Sequence, residues 1–320
     1  MRRGLILLLI IIFLTACATT KTTIELDNVD VRLKWLHQAQ FSGNYIALDK
    51  GFYEQNGLNV SLKKGGVDFS SLQEVLSGES DFGIVGADDL IVAISKGEPV
   101  KAVAVIYKLS PVCYFALKES GIKSPHDFVG KKIGIKKGSG TFYSYVSMLE
   151  YLNINRNEIT EVEIAYDLTS FYNKEIDVWP GFRINEPNTA MENGYEVEII
   201  GPEDWGVTMY ADVIVTTVDN INNNPKQVRS FVEATLKGWQ YAIENEEETV
   251  DIIMNYAIDS SRSHQQNMLA SSIPLIHTGD SRLGVMEPKV WENMITILSN
   301  NNIIETEVKI EDIFTNEFVG

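Results

Sequence analysis

Short apolar runs alternate with segments of helical periodicity along most of the chain. In the helical segments, apolar side chains recur every three to four residues, as Tyr45, Leu48 and Phe52 do. This order of strand and helix predicts an α/β fold with a largely parallel sheet. In the first part of the chain, strands are predicted at residues 31–35, 58–63, 82–85 and 100–107, and helices at residues 44–56, 70–77 and 88–96.

The alternation starts again in the middle of the chain, which predicts a second α/β lobe. A long helix should begin at Asn224 and Pro225, which supply an N-cap and a proline at the first helical position. The second group of predicted elements consists of strands at residues 132–135, 162–165, 176–179 and 197–200 and a helix at residues 142–152. A further strand is predicted at residues 212–217, before the long helix.

The restart predicts two lobes, with 28–115 and 212–320 forming the first lobe and 116–211 the second. In this arrangement the chain passes between the lobes twice. Two crossings make a hinge, and hinged lobes can close on a ligand. We therefore expect a ligand cleft between the lobes.

The amino terminus has the pattern of a secretory signal. Arg2 and Arg3 precede an apolar run at residues 5–14, which is too short to span a bilayer comfortably. We therefore predict a signal peptide at residues 1–16. No later segment is apolar enough to cross a membrane, so the mature chain is expected to lie outside the cytoplasm without spanning the membrane.

Cys17 follows Leu-Thr-Ala, and this arrangement is similar to a bacterial lipobox. The similarity implies cleavage before Cys17 and attachment of a lipid to its thiol, which would anchor the protein to the membrane. The alternative is an ordinary signal peptide with an incidental cysteine. Residues 17–27 are short and largely polar, and they are predicted to form the lipidated tether.

The composition argues against several classes of function. The formal net charge of −17 makes the chain a poor candidate for binding nucleic acid, because phosphate binding needs a basic face. The other cysteine, Cys113, lies in an apolar run and is expected to be a buried free thiol. Two cysteines and four histidines do not form the common zinc spacings, and no cofactor is expected.

An ordered set of short motifs resembles the periplasmic solute-binding proteins that are similar to the fungal thiamine-pyrimidine precursor synthase. The first motif, WLHQAQFSGNYIALDKGFY at residues 35–53, most resembles its counterpart in the binders of riboflavin and of pyrimidine precursors. The later motifs are GLNV at 57–60, GGVD at 65–68, SPxDFxGKKIG at 124–134, NEP at 185–187, WGxxxYxD at 205–212 and GWxYA at 238–242.

This resemblance implies a two-lobed periplasmic-binding-protein fold of type II. It also implies capture of a small molecule and its delivery to the membrane permease and ATPase of an ABC importer. The expected ligand is a small heteroaromatic vitamin or precursor, either riboflavin or a thiamine pyrimidine precursor. The family also includes binders of sulfonates, so a sulfonate or a similar small anion is the alternative.

Aromatic side chains are candidates for the walls of such a cleft. Trp35 ends a predicted strand just before a turn, where side chains face the cleft in open α/β sheets. Phe41 and Tyr45 follow it, with core packing as the alternative for both. Trp205 and Tyr210 come after the last predicted strand of the second lobe and are expected to supply the opposing wall.

Polar side chains in the predicted loops of the first lobe are candidates for hydrogen bonds to the ligand. Gln40 can bond a ring amide without a charge cost, although simple surface exposure would also fit its position. Asp88 follows a predicted buried strand, where it either caps the next helix or accepts a proton from a ligand nitrogen. Asp68 comes after two glycines and is expected to contact the ligand or to close the lobes.

Two loops of the second lobe add further candidates. Ser139, Gly140 and Thr141 form a strand-to-helix turn whose backbone N–H groups suit an anion or a carbonyl oxygen. Asn185 and Glu186 precede a proline, and a carboxylate there can bind an aminopyrimidine or a ribityl hydroxyl. A solvated turn is the alternative for this second loop.

Two other functions fit the resemblance less well. The fungal synthase uses a histidine and an iron site with clustered cysteines, and this chain has a predicted secretion signal and no cysteine cluster. We therefore expect a binding protein and not an enzyme. A ligand-sensing module would need a separate receptor, because the chain carries no recognisable signalling domain of its own.

Overall fold

The computed structural model describes residues 26–165 and 167–320. The predicted signal peptide at residues 1–16 and the predicted lipidation site Cys17 lie outside the described residues, as does most of the predicted tether. Asp27, at the end of that tether, begins the first strand. Within the described residues, no helix is long and apolar enough to cross a membrane.

The strands form two sheets of five strands each, so the predicted α/β class is confirmed. In the first sheet, in the order β2-β1-β3-β10-β4, β1 runs parallel to β2 and β3, whereas β10 runs antiparallel to β3 and β4. These strands are β1 (Asp27–Arg32), β2 (Leu58–Lys63), β3 (Phe82–Gly86), β4 (Val100–Val105) and β10 (Asp212–Thr217).

The second sheet repeats this mixed pattern in the order β7-β6-β8-β5-β9. Strand β6 is parallel to β7 and β8, and β5 is antiparallel to β8 and β9. These strands are β5 (Val112–Leu117), β6 (Lys132–Ile135), β7 (Thr160–Glu163), β8 (Val178–Phe182) and β9 (Val197–Ile200).

The chain passes from the first sheet to the second between β4 and β5, and returns between β9 and β10. The predicted boundary after residue 115 falls inside β5, which pairs only with strands of the second sheet. The predicted boundary between the lobes therefore lies a few residues too late in the chain. An unbroken apolar run spans this strand and hides the point at which the chain changes sheets, because β5 is buried along its whole length.

Helices cover both sheets, and the C-terminal part of the chain is mainly helical. They are α1 (Ser42–Asp49), α2 (Phe52–Gln55), α3 (Ser71–Ser77), α4 (Ala87–Ser95), α5 (Gly140–Tyr151), α6 (Thr169–Tyr172), α7 (Glu186–Glu192), α8 (Val218–Asn223), α9 (Pro225–Glu244), α10 (Glu246–Ile253), α11 (Arg262–Ile276), α12 (Pro288–Asn300) and α13 (Ile310–Ile313). The single helix predicted at 44–56 is split into α1 and α2, because Gly51 adopts a left-handed conformation with φ of 67°.

Two glycines allow α1 and α9 to pack closely in the first lobe. A Cβ atom on Gly238 would lie 2.0 Å from the carbonyl oxygen of Gly43, and one on Gly43 would lie 2.2 Å from the Trp239 ring. The N-terminal motif and the long returning helix thus form one packing unit. This unit supports the loop at residues 34–41, from which cleft residues project.

The lobes also share hydrophobic packing. One core cluster includes Val213 of β10, Tyr114 of β5 and Trp291 of α12. In α12, Asn293 donates a hydrogen bond to the carbonyl oxygen of Thr208, in the segment between β9 and β10. Asn301, directly after α12, donates to Ser147 of the second lobe. Cys113 is fully buried and is a free cysteine, as predicted.

Candidate binding cleft

A cleft of about 500 Å³ lies between the two sheets and is lined by both lobes. The first lobe contributes the segment after β1 and the start of α4. The second lobe contributes β8, the turn between β6 and α5, and the start of α7. Loops at the ends of sheet strands commonly form the ligand site in open α/β folds. The volume falls within the usual range for small-molecule sites.

A hydrogen-bonded charge network forms the first lobe's wall. Lys34 Nζ lies 3.0 Å from Asp212 Oδ1, and Gln40 Nε2 donates to Asp212 Oδ2 at 2.5 Å. Gln38 Nε2 donates in turn to Gln40 Oε1 at 2.6 Å. The Asp212 side chain is only 1% exposed, so its charge must be matched within the protein. Lys34 supplies that match and thereby loses much of its capacity to neutralise an anionic ligand.

Burial alone would lower the pKa of Lys34. The nearby carboxylates of Asp212, Asp88 and Asp89 outweigh this effect and raise its pKa. Lys34 is therefore charged at neutral pH. Its ammonium also lies 5.4 Å from the centroid of the Phe182 ring on the opposite lobe, so it faces both the carboxylates and an aromatic wall.

Two carboxylates and the Lys34 ammonium converge above Gly86, the last residue of β3. A Cβ atom on Gly86 would lie 2.5 Å from Asp88 Oδ1, 3.1 Å from Asp89 Oδ2 and 3.5 Å from Lys34 Nζ. Glycine is therefore needed at this position to admit the three groups. Loss of hydration within the cleft and the neighbouring Asp88 raise the pKa of Asp89 to about 6.

The start of α5 forms part of the second lobe's wall. Ser139 caps this helix by accepting a hydrogen bond from the Phe142 N–H, and its hydroxyl donates to the Lys136 carbonyl oxygen at 2.7 Å. A Cβ atom on Gly140 would lie 2.6 Å from Asp88 Oδ2. The Asp88 carboxylate thus reaches across the cleft and lies against the positive end of the helix dipole.

Aromatic rings enclose the cleft from both sides. Trp35 of the first lobe is partly buried, while Trp179 in β8 is 2% exposed. Phe182 ends β8, and Tyr210 lies in the segment that returns to the first lobe. The Tyr210 hydroxyl accepts a hydrogen bond from the Glu287 N–H at 2.8 Å, which fixes its ring. These flat side chains suit a planar ligand.

The start of α7 adds an acceptor next to these rings. Glu186 Oε2 accepts a hydrogen bond from the Phe182 N–H at 2.7 Å. Burial raises the pKa of Glu186 despite this bond. The carboxylate is held in place by its own lobe and faces the cleft.

The structure brings most of the predicted site residues together at the cleft. Those that line it are Trp35, Gln40, Asp88, Ser139, Gly140, Thr141, Asn185, Glu186 and Tyr210. They come from segments far apart in the sequence, yet they surround one volume. Their individual contacts with a ligand remain predictions.

Lys34, Asp89, Trp179 and Phe182 are among the lining residues that sequence reasoning missed. Trp179 ends the strand that was predicted at residues 176–179, which is the same signal that marked Trp35. Nothing in the sequence indicated that Lys34 would pair with a residue at the start of β10.

Phe41 and Tyr45 do not line the cleft, and their assignment to its wall is corrected. Phe41 is 1% exposed and Tyr45 is fully buried, both in the first lobe's core. The Tyr45 ring stacks on Tyr256 with a centroid distance of 4.4 Å, and its hydroxyl lies 3.1 Å from His37 Nδ1. Tyr45 lies in α1, which packs against α9 and α10, so its ring is buried on that side. Phe41 lies in the short helix at Ala39–Phe41, which packs against α11.

Asp68 and Trp205 also lie outside the cleft lining. Asp68 is exposed in the loop that follows β2 and is not among the residues that line the cleft. Trp205 packs against a hydrophobic core, edge-on to His126, with ring centroids 6.0 Å apart. The short helix at Pro202–Trp205 turns this indole towards the protein interior, which leaves Tyr210 of the same motif to face the cleft.

Comparison with known proteins agrees with this architecture. The chain is 26% identical to the riboflavin-binding protein RibY of Chloroflexus aurantiacus over 98% of this chain and 96% of the relative. It is 24% identical to the formylaminopyrimidine-binding protein of Halalkalibacterium halodurans, over 97% of this chain and 96% of that relative.

The fold matches the crystal structure of the periplasmic aliphatic sulphonate binding protein SsuA from Escherichia coli. The TM-score is 0.72 at 15% identity, over 89% of this chain and 91% of that one. The family model described as "NMT1/THI5 like" matches residues 38–249, which include most of the cleft-lining residues. This chain therefore belongs to the NMT1/THI5-like family.

Proposed function

We propose that this chain is the solute-binding protein of an ABC importer and that it captures a planar heteroaromatic molecule between its lobes. Riboflavin and a formylated or free aminopyrimidine are the proposed ligands. The observation that supports the proposal is the cleft itself, a volume of about 500 Å³ between the two lobes, lined by aromatic rings and by hydrogen-bonding groups. Two relatives of nearly full coverage bear the names of binders of such compounds.

The charges in the cleft favour a neutral or cationic ligand. Three carboxylates line the cleft, those of Asp88, Asp89 and Glu186. Two lysines, Lys34 and Lys136, also line it, and Lys34 is already paired with Asp212. An added anion would meet this excess of carboxylate in a partly desolvated space, where like charges repel strongly. Ring N–H and amino groups, in contrast, would donate to these oxygens and gain charge-assisted hydrogen bonds.

One observation favours a second class of ligand, a sulfonate or similar small anion. The start of α5 presents backbone N–H groups at the cleft, and helix N-termini bind anions. The carboxylate of Asp88 already lies against Gly140 at that helix end. A sulfonate would have to displace this carboxylate, and we therefore rank the planar heteroaromatic ligand first.

We further propose that the chain binds its ligand without altering it. The decisive experiment is native mass spectrometry of the purified full chain with riboflavin, an aminopyrimidine and an alkanesulfonate, followed by denaturation and mass measurement of the released compound. Submicromolar binding of riboflavin or the aminopyrimidine, with the released mass unchanged, is expected. Preferential binding of the sulfonate would overturn the ligand class, and a changed mass would overturn the assignment as a binding protein.

The proposed importer places the chain outside the cytoplasm, attached to the membrane through a lipid on Cys17. In that position the closed lobes would deliver ligand to a permease whose transport is driven by a separate ATPase. Replacing Cys17 with serine should shift the protein from the membrane fraction to the soluble fraction on cell fractionation. Replacing Cys113, a buried thiol, with serine is the control and should leave the protein at the membrane. A membrane-bound Cys17→Ser variant would refute the anchor.

A further inference from the structure

A second cavity adjoins the cleft on the first lobe. It has a volume of about 390 Å³ and lies between α3 and α4, beside the end of β3. Lys34 and Asp89 line both the cleft and this second cavity, which we name the α3–α4 groove. The cleft and the groove therefore meet at these two side chains, and a ligand in the cleft lies next to the entrance of the groove.

The two side chains at this entrance are not bonded to each other. Lys34 Nζ bonds Asp212 Oδ1 at 3.0 Å, whereas no residue that the structure describes forms a hydrogen bond with the Asp89 carboxylate. Gly86 lines the groove beside them and has no side chain to fill the space. A Cβ atom at that position would lie 3.1 Å from Asp89 Oδ2 and 3.5 Å from Lys34 Nζ. The Asp89 oxygens are therefore available to a donor on a ligand that extends from the cleft into the groove.

The groove combines an apolar lining with polar groups that have no partner. Hydrocarbon side chains from β3, α3 and α4 form the apolar part, namely those of Ile84, Val85, Leu72, Val92 and Ala93. Three exposed residues, Gln73, Lys96 and Glu98, also line the groove. Their side chains form no hydrogen bond or ion pair with any other described residue. They can therefore bond a ligand without first breaking a bond within the protein.

The charges and the length of the groove suit an uncharged polar chain. The positive charges of Lys34 and Lys96 are balanced by the negative charges of Asp89 and Glu98, which line the same groove. Hydroxyl groups both donate and accept hydrogen bonds, so they can bond either kind of charged group. Asp89 and Lys96 lie at the two ends of one side of α4, and a helix rise of about 1.5 Å per residue separates them by roughly 10 Å. The groove is therefore long enough for a chain of several carbons.

We propose that the α3–α4 groove binds an uncharged, hydroxylated tail of a ligand whose planar ring lies in the cleft. The tail would enter between Lys34 and Asp89, donate to the Asp89 carboxylate and place its carbon atoms on the apolar lining. This inference rests on the proposed function and selects between its two ligands. Riboflavin has a planar ring with a tail of hydroxyl-bearing carbons, whereas an aminopyrimidine has no such tail and would leave the groove empty.

Fluorescence titration of the purified full chain with two flavins tests the tail separately from the ring. Lumiflavin has the ring system of riboflavin with a methyl group in place of the tail. The parent should bind riboflavin about tenfold more tightly than lumiflavin, the effect of one or two hydrogen bonds. Gln73→Trp should fill the groove and remove this preference by weakening riboflavin binding alone. Gln73 is exposed, and its hydrogen bond to Ser70 uses the backbone N–H, so the substitution should leave the fold intact.

Glu79→Trp is the matched control, because Glu79 is exposed in the turn after α3 and lines neither cavity. This variant should keep the preference for riboflavin. If the parent binds both flavins equally, or if Gln73→Trp keeps the preference, the proposal for the groove is wrong while the proposed function stands. A preference lost equally in both variants would also overturn it. If neither flavin binds the parent, riboflavin fails as the proposed ligand and the assignment of the groove fails with it.

Discussion

The two walls of the cleft differ in how their groups are held. On the first lobe, Lys34, Gln40 and Asp212 are joined by hydrogen bonds and an ion pair across residues distant in sequence. On the second lobe, Trp179 and Phe182 belong to one strand, and their positions follow from the geometry of β8. The first wall is therefore organised by a polar network, whereas the second contains an aromatic strand end beside the polar starts of α5 and α7.

This difference assigns different tasks to the lobes. A polar network gives direction, because its donors and acceptors satisfy one another in one arrangement. An aromatic surface gives contact area and tolerates sliding of a planar ligand. We infer that the first lobe orients the ligand and that the second covers it on closure. Substitutions in one wall should therefore change ligand affinity and stability differently from substitutions in the other wall.

The largest expected effect comes from removing the centre of the polar network. Asp212→Ala leaves Lys34 and Gln40 without their partner and should lower the free energy of unfolding by about 3 kcal/mol, as breaking buried ion pairs does. Chemical unfolding measures this loss. Asp219→Ala, at an exposed position in the first turn of α8, is the control and should cost less than about 0.5 kcal/mol. Equal losses in both variants would mean that the network has no structural role.

Substituting Trp35 and Trp179, one tryptophan from each wall, allows a direct comparison of the two walls. Trp35→Ala should weaken riboflavin binding at least tenfold, roughly the loss of one good stacking contact, with a small effect on stability. Trp179→Ala should weaken binding and also lower the free energy of unfolding by about 3 kcal/mol, since its indole packs within the second lobe's core. Fluorescence titration and chemical unfolding give the two quantities.

Trp205→Ala serves as the matched tryptophan control, because its ring lies outside the cleft. Its riboflavin affinity should equal that of the unaltered chain. An unchanged affinity for Trp35→Ala would remove this indole from the binding wall, and a loss of affinity in Trp205→Ala alone would place the site elsewhere.

The smallest expected effect concerns Asp89, whose pKa is raised to about 6 from the usual 3.8. A carboxyl group with a raised pKa contributes most to stability below its unfolded-state pKa, and that contribution is lost as pH rises through about 6. Asp89→Asn should therefore unfold like the parent at pH 4 and be more stable at pH 7.5, by on the order of 0.5 kcal/mol.

Asp68→Asn, at an exposed aspartate outside the cleft, is the control for this measurement and should show no gain between the two pH values. A gain of the same size in both variants would indicate a general effect of the net charge of −17 and not a local property of the cleft.

Local patterns were sufficient for the predictions that depend on neighbouring residues. Apolar periodicity located most strands and helices, and the α/β class followed from their order. The turn at Ser139 and Gly140 was recognised because a cap and a glycine mark the start of a helix. The motif resemblance identified the family because short sequence signatures in a consistent order reflect a shared fold.

Tertiary structure alone decided which side chains face the cleft. Phe41 and Trp35 lie in the same motif, and tertiary packing decides that Phe41 is buried in the first lobe's core while Trp35 lies at the wall. The Lys34–Asp212 pair joins residues 178 positions apart, and the contact between His264 and Asn185 joins residues 79 apart. Hydropathy and spacing report on local neighbours, whereas such contacts depend on how the whole chain folds and on how the two lobes meet.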